Sequence, residues 1–243
     1  MKQIIFTPGF KAVLATMSLG LFTVAGVSAA SVFTDTFDSG TGDWYKSYSN
    51  VSTTLQNDSG ALSWDVGGTG DGYQVIGRSF AEQTLAVGET ISFSFDFTPT
   101  SDTGIMRFGL HNLTDLSANA DDWSNTGTGS YAGYGTFIRD SGSNVARVEN
   151  GPSTTSVTTE YALSMSDAQS GNATDIGSTA TNFSLVNNST YQISFDVTRT
   201  STTQTDTLLT VLDGATTRYS VAGSDTSSNF NVFDLATLRI SQG

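Results

Sequence analysis

Ile91-Ser-Phe-Ser-Phe-Asp-Phe97 alternates without a break, with Ile91, Phe93, Phe95 and Phe97 on one side and Ser92, Ser94 and Asp96 on the other. Tyr191-Gln-Ile-Ser-Phe-Asp-Val197 repeats the pattern. A period of two cannot line up on a helix. With one face polar, it specifies a half-buried antiparallel strand. The similarity of the two segments reads as two central strands meeting one core, since nothing else in the chain matches at that spacing. Further strands are predicted at 32–37, 61–66, 73–80, 105–112, 131–139, 144–149, 207–212, 217–221 and 232–240. Turn-forming runs separate them: Asn57-Asp-Ser-Gly60, Gly67-Gly-Thr-Gly-Asp-Gly72, Asp140-Ser-Gly-Ser-Asn144 and Asp213-Gly214. Asp213-Gly214 joins two strands as a hairpin. Only Glu160–Gln169 has helical character, ended by Gly171. Many short strands with almost no helix predict an all-β fold, a two-sheet antiparallel jelly-roll sandwich.

The first thirty residues differ from the rest. Lys2 and Lys11 are their only charges, Ala12–Val27 is apolar, and Ser28-Ala29-Ala30 follows. A basic start, a short apolar middle and small residues at the exit describe a secretory signal peptide, cut after Ala29 or Ala30. The apolar run is shorter than the roughly 20 residues that span a bilayer. Residues 1–30 are therefore expected to be a leader and residues 31–243 a single domain, secreted to the extracellular space or the cell surface. No membrane association is expected after cleavage.

Without Lys2 and Lys11, eight basic residues face 23 acidic ones, a net charge of −15. Such a surface repels nucleic acid and anionic membranes, whose binding depends on Lys and Arg. The chain has no cysteine, which excludes thiol catalysis and thiolate metal sites. Two predicted loops are long. Asn112–Ser130 carries Asp115, Asp121, Asp122 and Trp123, and the Ser/Thr-rich Gly151–Asn188 is expected to decorate one edge.

The order of Phe33-Thr-Asp-Thr-Phe37, Gly42-Asp-Trp-Tyr45, Ile91–Phe97, Arg107-Phe-Gly-Leu-His111, Tyr131-Ala-Gly-Tyr134, Tyr191–Val197 and Phe233–Ile240 resembles the concanavalin A-like lectin/glucanase jelly roll. It is similar, more narrowly, to exported bacterial domains of that fold that often end in a sorting tail. The sequence ends at Gln242-Gly243 without such a tail; if the chain is complete there, the resemblance implies a released rather than an anchored product.

Hydrolases of the fold carry Glu-x-Asp-x-Glu on one strand, which sets two carboxylates at the spacing that retaining hydrolysis needs. Glu82, Glu89, Glu149 and Glu160 have no acidic neighbour two residues away. Lyases of the fold resemble a different set, with Arg, Gln, His and Tyr on the concave sheet neutralising a uronate and moving its proton. His111 is the single histidine. Alternation puts it with Arg107 on the side away from Phe108 and Leu110, and Tyr134 and Arg78 sit on candidate neighbouring strands. Sugar binding needs less: an aromatic face and a few hydrogen-bonding groups. Trp123, Tyr131 and Tyr134 are the candidates. Asp121, Asp122 and Asn125 offer hard oxygens for calcium. The leading expectation is a secreted carbohydrate-binding or cell-surface recognition domain without catalysis, whose partner is an extracellular polysaccharide or glycan. The alternatives are a lyase acting on a uronate polymer and a structural matrix or adhesion protein.

Overall fold

The structure is a computed structural model. It describes residues 10–23, 30–46, 53–58, 60–66, 74–100, 105–113, 118–121, 131–139, 142–150, 173–179 and 184–241. Fifteen strands follow one another: β1 (Phe10–Thr23), β2 (Ala30–Asp35), β3 (Tyr45–Lys46), β4 (Thr53–Asn57), β5 (Leu62–Val66), β6 (Gln74–Thr84), β7 (Glu89–Pro99), β8 (Ile105–Leu113), β9 (Tyr131–Arg139), β10 (Gly142–Asn150), β11 (Ala173–Thr179), β12 (Tyr191–Arg199), β13 (Thr205–Asp213), β14 (Thr216–Asp225) and β15 (Val232–Ser241). No helix occurs among the described residues. The helix expected at Glu160–Gln169 lies outside them.

The strands form two antiparallel sheets in a sandwich. The first runs β14-β13-β12-β7-β1-β5-β4, with β2 paired to β1, and the second runs β11-β10-β9-β8-β15-β6-β3. The two alternating segments are hydrogen-bonded neighbours, with Phe93 opposite Phe195 and Phe95 opposite Ile193. Their apolar sides are buried together with Leu209, Val211 and Val221. From the second sheet Met106, Phe108, Leu110, Leu238 and Ile240 complete the core. Phe108 sits at its centre, edge-on to Phe95 at 5.2 Å, to Phe195 at 6.2 Å and to Phe93 at 6.4 Å. Quadrupoles favour this edge-to-face geometry over a sandwich of rings.

A buried corner closes one end. The Trp44 indole N–H donates to Asp35 at 2.8 Å, Arg78 pairs with the same carboxylate, and the Arg78 guanidinium lies 4.1 Å from the centre of the Phe33 ring. This accounts for the Phe33–Phe37 and Gly42–Tyr45 motifs as packing devices, since a buried charge is tolerated only when paired. At the opposite edge β11 crosses β14. A methyl group at Gly177 would overlap the Ala222 carbonyl, and one at Gly223 would meet Val145 and Ile176. Only bare backbone allows this approach.

One expectation changes here. The stretch Gly151–Asn188 is not all loop, because Ala173–Thr179 adds a seventh strand to the second sheet against β10. Of the apolar stretch 12–27, residues 12–23 lie in β1. It pairs with β7 along one side and with β5 and β2 along the other. Met17 is fully buried, and the Ser18 and Ser94 hydroxyls are 2.7 Å apart.

Candidate functional site

The outward face of the second sheet gathers the polar groups that the sequence singled out on β8. Arg107, Gly109 and His111 point away from the core, opposite Arg239, Thr237 and Leu235 of β15. On the other side they face Phe137, Gly135 and Gly133 of β9. His111 is fully buried, and Arg107 and Arg239 nearly so. The imidazole Nε2 lies 3.1 Å from the Thr237 hydroxyl, and Nδ1 has no hydrogen-bond partner among the described residues. Two glycines make room for the ring: a Cβ at Gly109 would lie 2.9 Å from Nε2, and one at Gly133 3.0 Å from Nδ1. Burial lowers the His111 pKa to about 3, because a cation there would lose its hydration. The ring is therefore neutral at neutral pH, a hydrogen-bonding group rather than a proton donor.

Tyr134 and Arg78 do not join it. Tyr134 lies opposite Leu110 and so points into the sandwich, where its hydroxyl donates to Asp225 at 3.0 Å and accepts the Phe230 N–H at 3.0 Å. Burial raises its pKa, and the Asp225 charge adds to this. Burial alone would raise the Asp225 carboxyl too, but the Ser227 N–H, the Tyr134 hydroxyl and Arg147 outweigh it and hold the group below its ordinary value. Arg147 Nη1 is 3.0 Å from the same carboxylate. This network ties β9 and β10 to the end of β14. Arg78 lies opposite Ala236 on the inward face, committed to Asp35. The Arg, His and Tyr set is thus divided between the two faces of one sheet.

Of the ligand and metal candidates, Trp123, Asp122 and Asn125 lie outside the described residues. Tyr131 opens β9 opposite Leu113, and its side chain is likewise outside the description. Asp121 is exposed and holds β3: its carboxylate accepts the Lys46 backbone N–H at 2.9 Å and lies 3.5 Å from the Lys46 ammonium. Among the described residues no group of three His, Cys, Asp or Glu side chains could hold a metal ion.

The outward face of the first sheet is a second polar surface. Cross-strand register pairs Ser94 with Ser194, Ser92 with Asp196, and Asp96 with Gln192. Ser92 donates to Asp196, and the Thr90 and Thr198 hydroxyls are 2.7 Å apart. Burial raises the Asp196 carboxyl, opposed by the Ser92 hydrogen bond. Ser18, Ser94, Asp96, Gln192 and Ser194 line a shallow cleft of about 390 Å³. The sequence announced these polar rows as the complement of the apolar phase, but their alignment across strands depends on register.

The class so defined is an all-β, two-sheet antiparallel sandwich. No protein-family model matches the chain, and no curated protein matches it. Among solved structures, it is similar to a crystal structure of a protein of unknown function from Shewanella oneidensis MR-1, at 10% identity and a TM-score of 0.29, over 94% of this chain and 88% of that one.

Proposed function

We propose that the chain is an exported, concanavalin A-like jelly-roll domain that recognises an extracellular glycan without cleaving it. The observation that carries this reading is the outward face of the first sheet, where hydroxyl, carboxylate and amide groups of β7 and β12 (Ser94, Asp96, Gln192 and Ser194), all beyond the first thirty residues, line a shallow cleft. Sugar hydroxyls are bound by groups of this kind, held in fixed positions on a rigid element. Recognition is favoured over lyase chemistry by the division of the Arg, His and Tyr set. An acid–base pair must reach the same substrate proton within hydrogen-bond distance, yet His111 and Tyr134 point to opposite sides of one sheet. The leader-like first thirty residues support export, and the acidic surface favours a neutral glycan.

The test is a glycan array on the full chain, with calcium and with chelator, beside Trp123→Ala. Binding to neutral glycans is expected. Its loss in Trp123→Ala would bring the Asn112–Ser130 loop into the site, and loss in chelator would bring in calcium. Silence in both buffers overturns the reading. Ultraviolet-absorbing unsaturated ends released from a uronate polymer would replace it with the lyase.

A further inference from the structure

The hairpin β13–β14 carries a larger cleft, of about 640 Å³, on the same outward face. Thr205, Thr207, Leu209 and Val211 are buried on the inward side of β13, which leaves Asp206 and Leu208 facing out. Leu208 breaks the polar phase of the strand and is 39% exposed, one of three large apolar side chains exposed among the described residues. Ala222 lies opposite Leu208 and Ser224 opposite Asp206, and Ile176 of β11 also lines the cleft. An aliphatic platform therefore adjoins a polar end.

The polar end is preorganised. Ser224 donates its hydroxyl to Asp206 Oδ1 at 2.7 Å, and the Gln204 amide nitrogen donates to Asp206 Oδ1 at 2.8 Å and to Ser224 at 3.0 Å. Both contacts to the carboxylate fall on Oδ1. Among the described residues Asp206 Oδ2 accepts no side-chain hydrogen bond, and neither does the carbonyl oxygen of the Gln204 amide. Two fixed acceptors beside an exposed leucine suit a ligand with vicinal hydroxyls on one edge and C–H groups on one face. A pyranose ring has both. A carboxylate or sulfate on the ligand would meet Asp206 as a like charge, on a chain of net charge −13.

We propose that the β13–β14 cleft is a subsite for a neutral pyranose, with Asp206 Oδ2 and Gln204 accepting two adjacent hydroxyls while Leu208 and Ala222 carry the ring's apolar face. This rests on the glycan-recognition reading and gives it a place and a ligand class.

The experiment is amide chemical-shift mapping on the isotope-labelled full chain, titrated with cellohexaose, mannohexaose and xylohexaose, with trigalacturonate as the anionic control. The expected result is shifts centred on Asp206–Leu208 and Ala222–Ser224 with at least one neutral hexasaccharide, and none with trigalacturonate. Asp206→Ala and Leu208→Asp, both changes at the surface, are expected to weaken binding at least about tenfold, the equivalent of one charge-assisted hydrogen bond. Should either variant unfold, the wild-type shift map decides alone. Neutral binding that maps elsewhere and survives both substitutions overturns the subsite but leaves glycan recognition standing. Silence with all three hexasaccharides and on the array overturns both.

Discussion

Lowering the pH from 7.5 to 5 is expected to cost this fold about 2 kcal/mol through His111 alone. The folded imidazole has a pKa of about 3 against an ordinary 6.5, so the unfolded chain binds the proton and the folded one refuses it. Stability from this group is complete above pH 6.5 and is lost as the pH falls toward 3, at about 1.4 kcal/mol per unit. At pH 5 the unfolded imidazole lies one and a half units below its pKa while the folded one is still neutral, which gives the figure. The assay is urea unfolding at both pH values, followed by tryptophan fluorescence, for the wild type and for His111→Gln. Glutamine keeps a neutral group able to bond the Thr237 hydroxyl. Carboxylates also titrate: burial raises Asp196 and Asp234, which adds stability as the pH falls, but they do so in both proteins and cancel in the difference. The wild type should lose about 2 kcal/mol more than the variant between the two pH values. Equal losses would refute the argument, since they would mean that the folded state accepts the proton as readily as the unfolded chain.

Two further outcomes follow from packing. Phe108→Ala removes the ring that Phe93, Phe95 and Phe195 enclose, and should cost about 3–5 kcal/mol in chemical denaturation; a loss below about 1 kcal/mol would place the core elsewhere. Gly133→Ala would set a Cβ 2.8 Å from the His111 Cα and against the Leu110 carbonyl. It should lower stability by about 1–3 kcal/mol, and an unchanged thermal midpoint would show that the two strands are not so close.

Where alternation was strong, sequence and structure agree on the strands. β9 has the predicted bounds, 131–139, and the segments read at 91–97 and 191–197 each gain two residues or more as β7 and β12. β11 was missed because Ala-Thr-Asp-Ile-Gly-Ser-Thr has one large apolar side chain and no alternation. It is a strand because β10 offers an edge and Gly177 lets it cross β14. The phase of His111 and Arg107 was legible on their own strand. That of Tyr134 and Arg78 was not, because it depends on which residue lies opposite Leu110 and which opposite Ala236. Register is a property of two strands together, and shifting it by one residue would have put Tyr134 beside His111. Leu208, out of phase in its strand, was a readable sign of the β13–β14 cleft.

β1 gives proteolysis an unusual meaning for this molecule. Cutting a leader normally trims a chain at its margin, yet a cut after Ala30 would take a row from the middle of the eight-stranded sheet. β7 would lose its partner on one side from Glu89 to Pro99 while keeping β12 on the other, and β2 and β5 would part from the strand that joins them to the rest. The bond after Ala30 is itself held in the sheet, with Ala30 opposite Leu21 and Ser31 opposite Gly20. A peptidase that needs a free extended segment would find it only before this sheet forms. Were the chain cut there, maturation and folding would compete for the same fourteen residues.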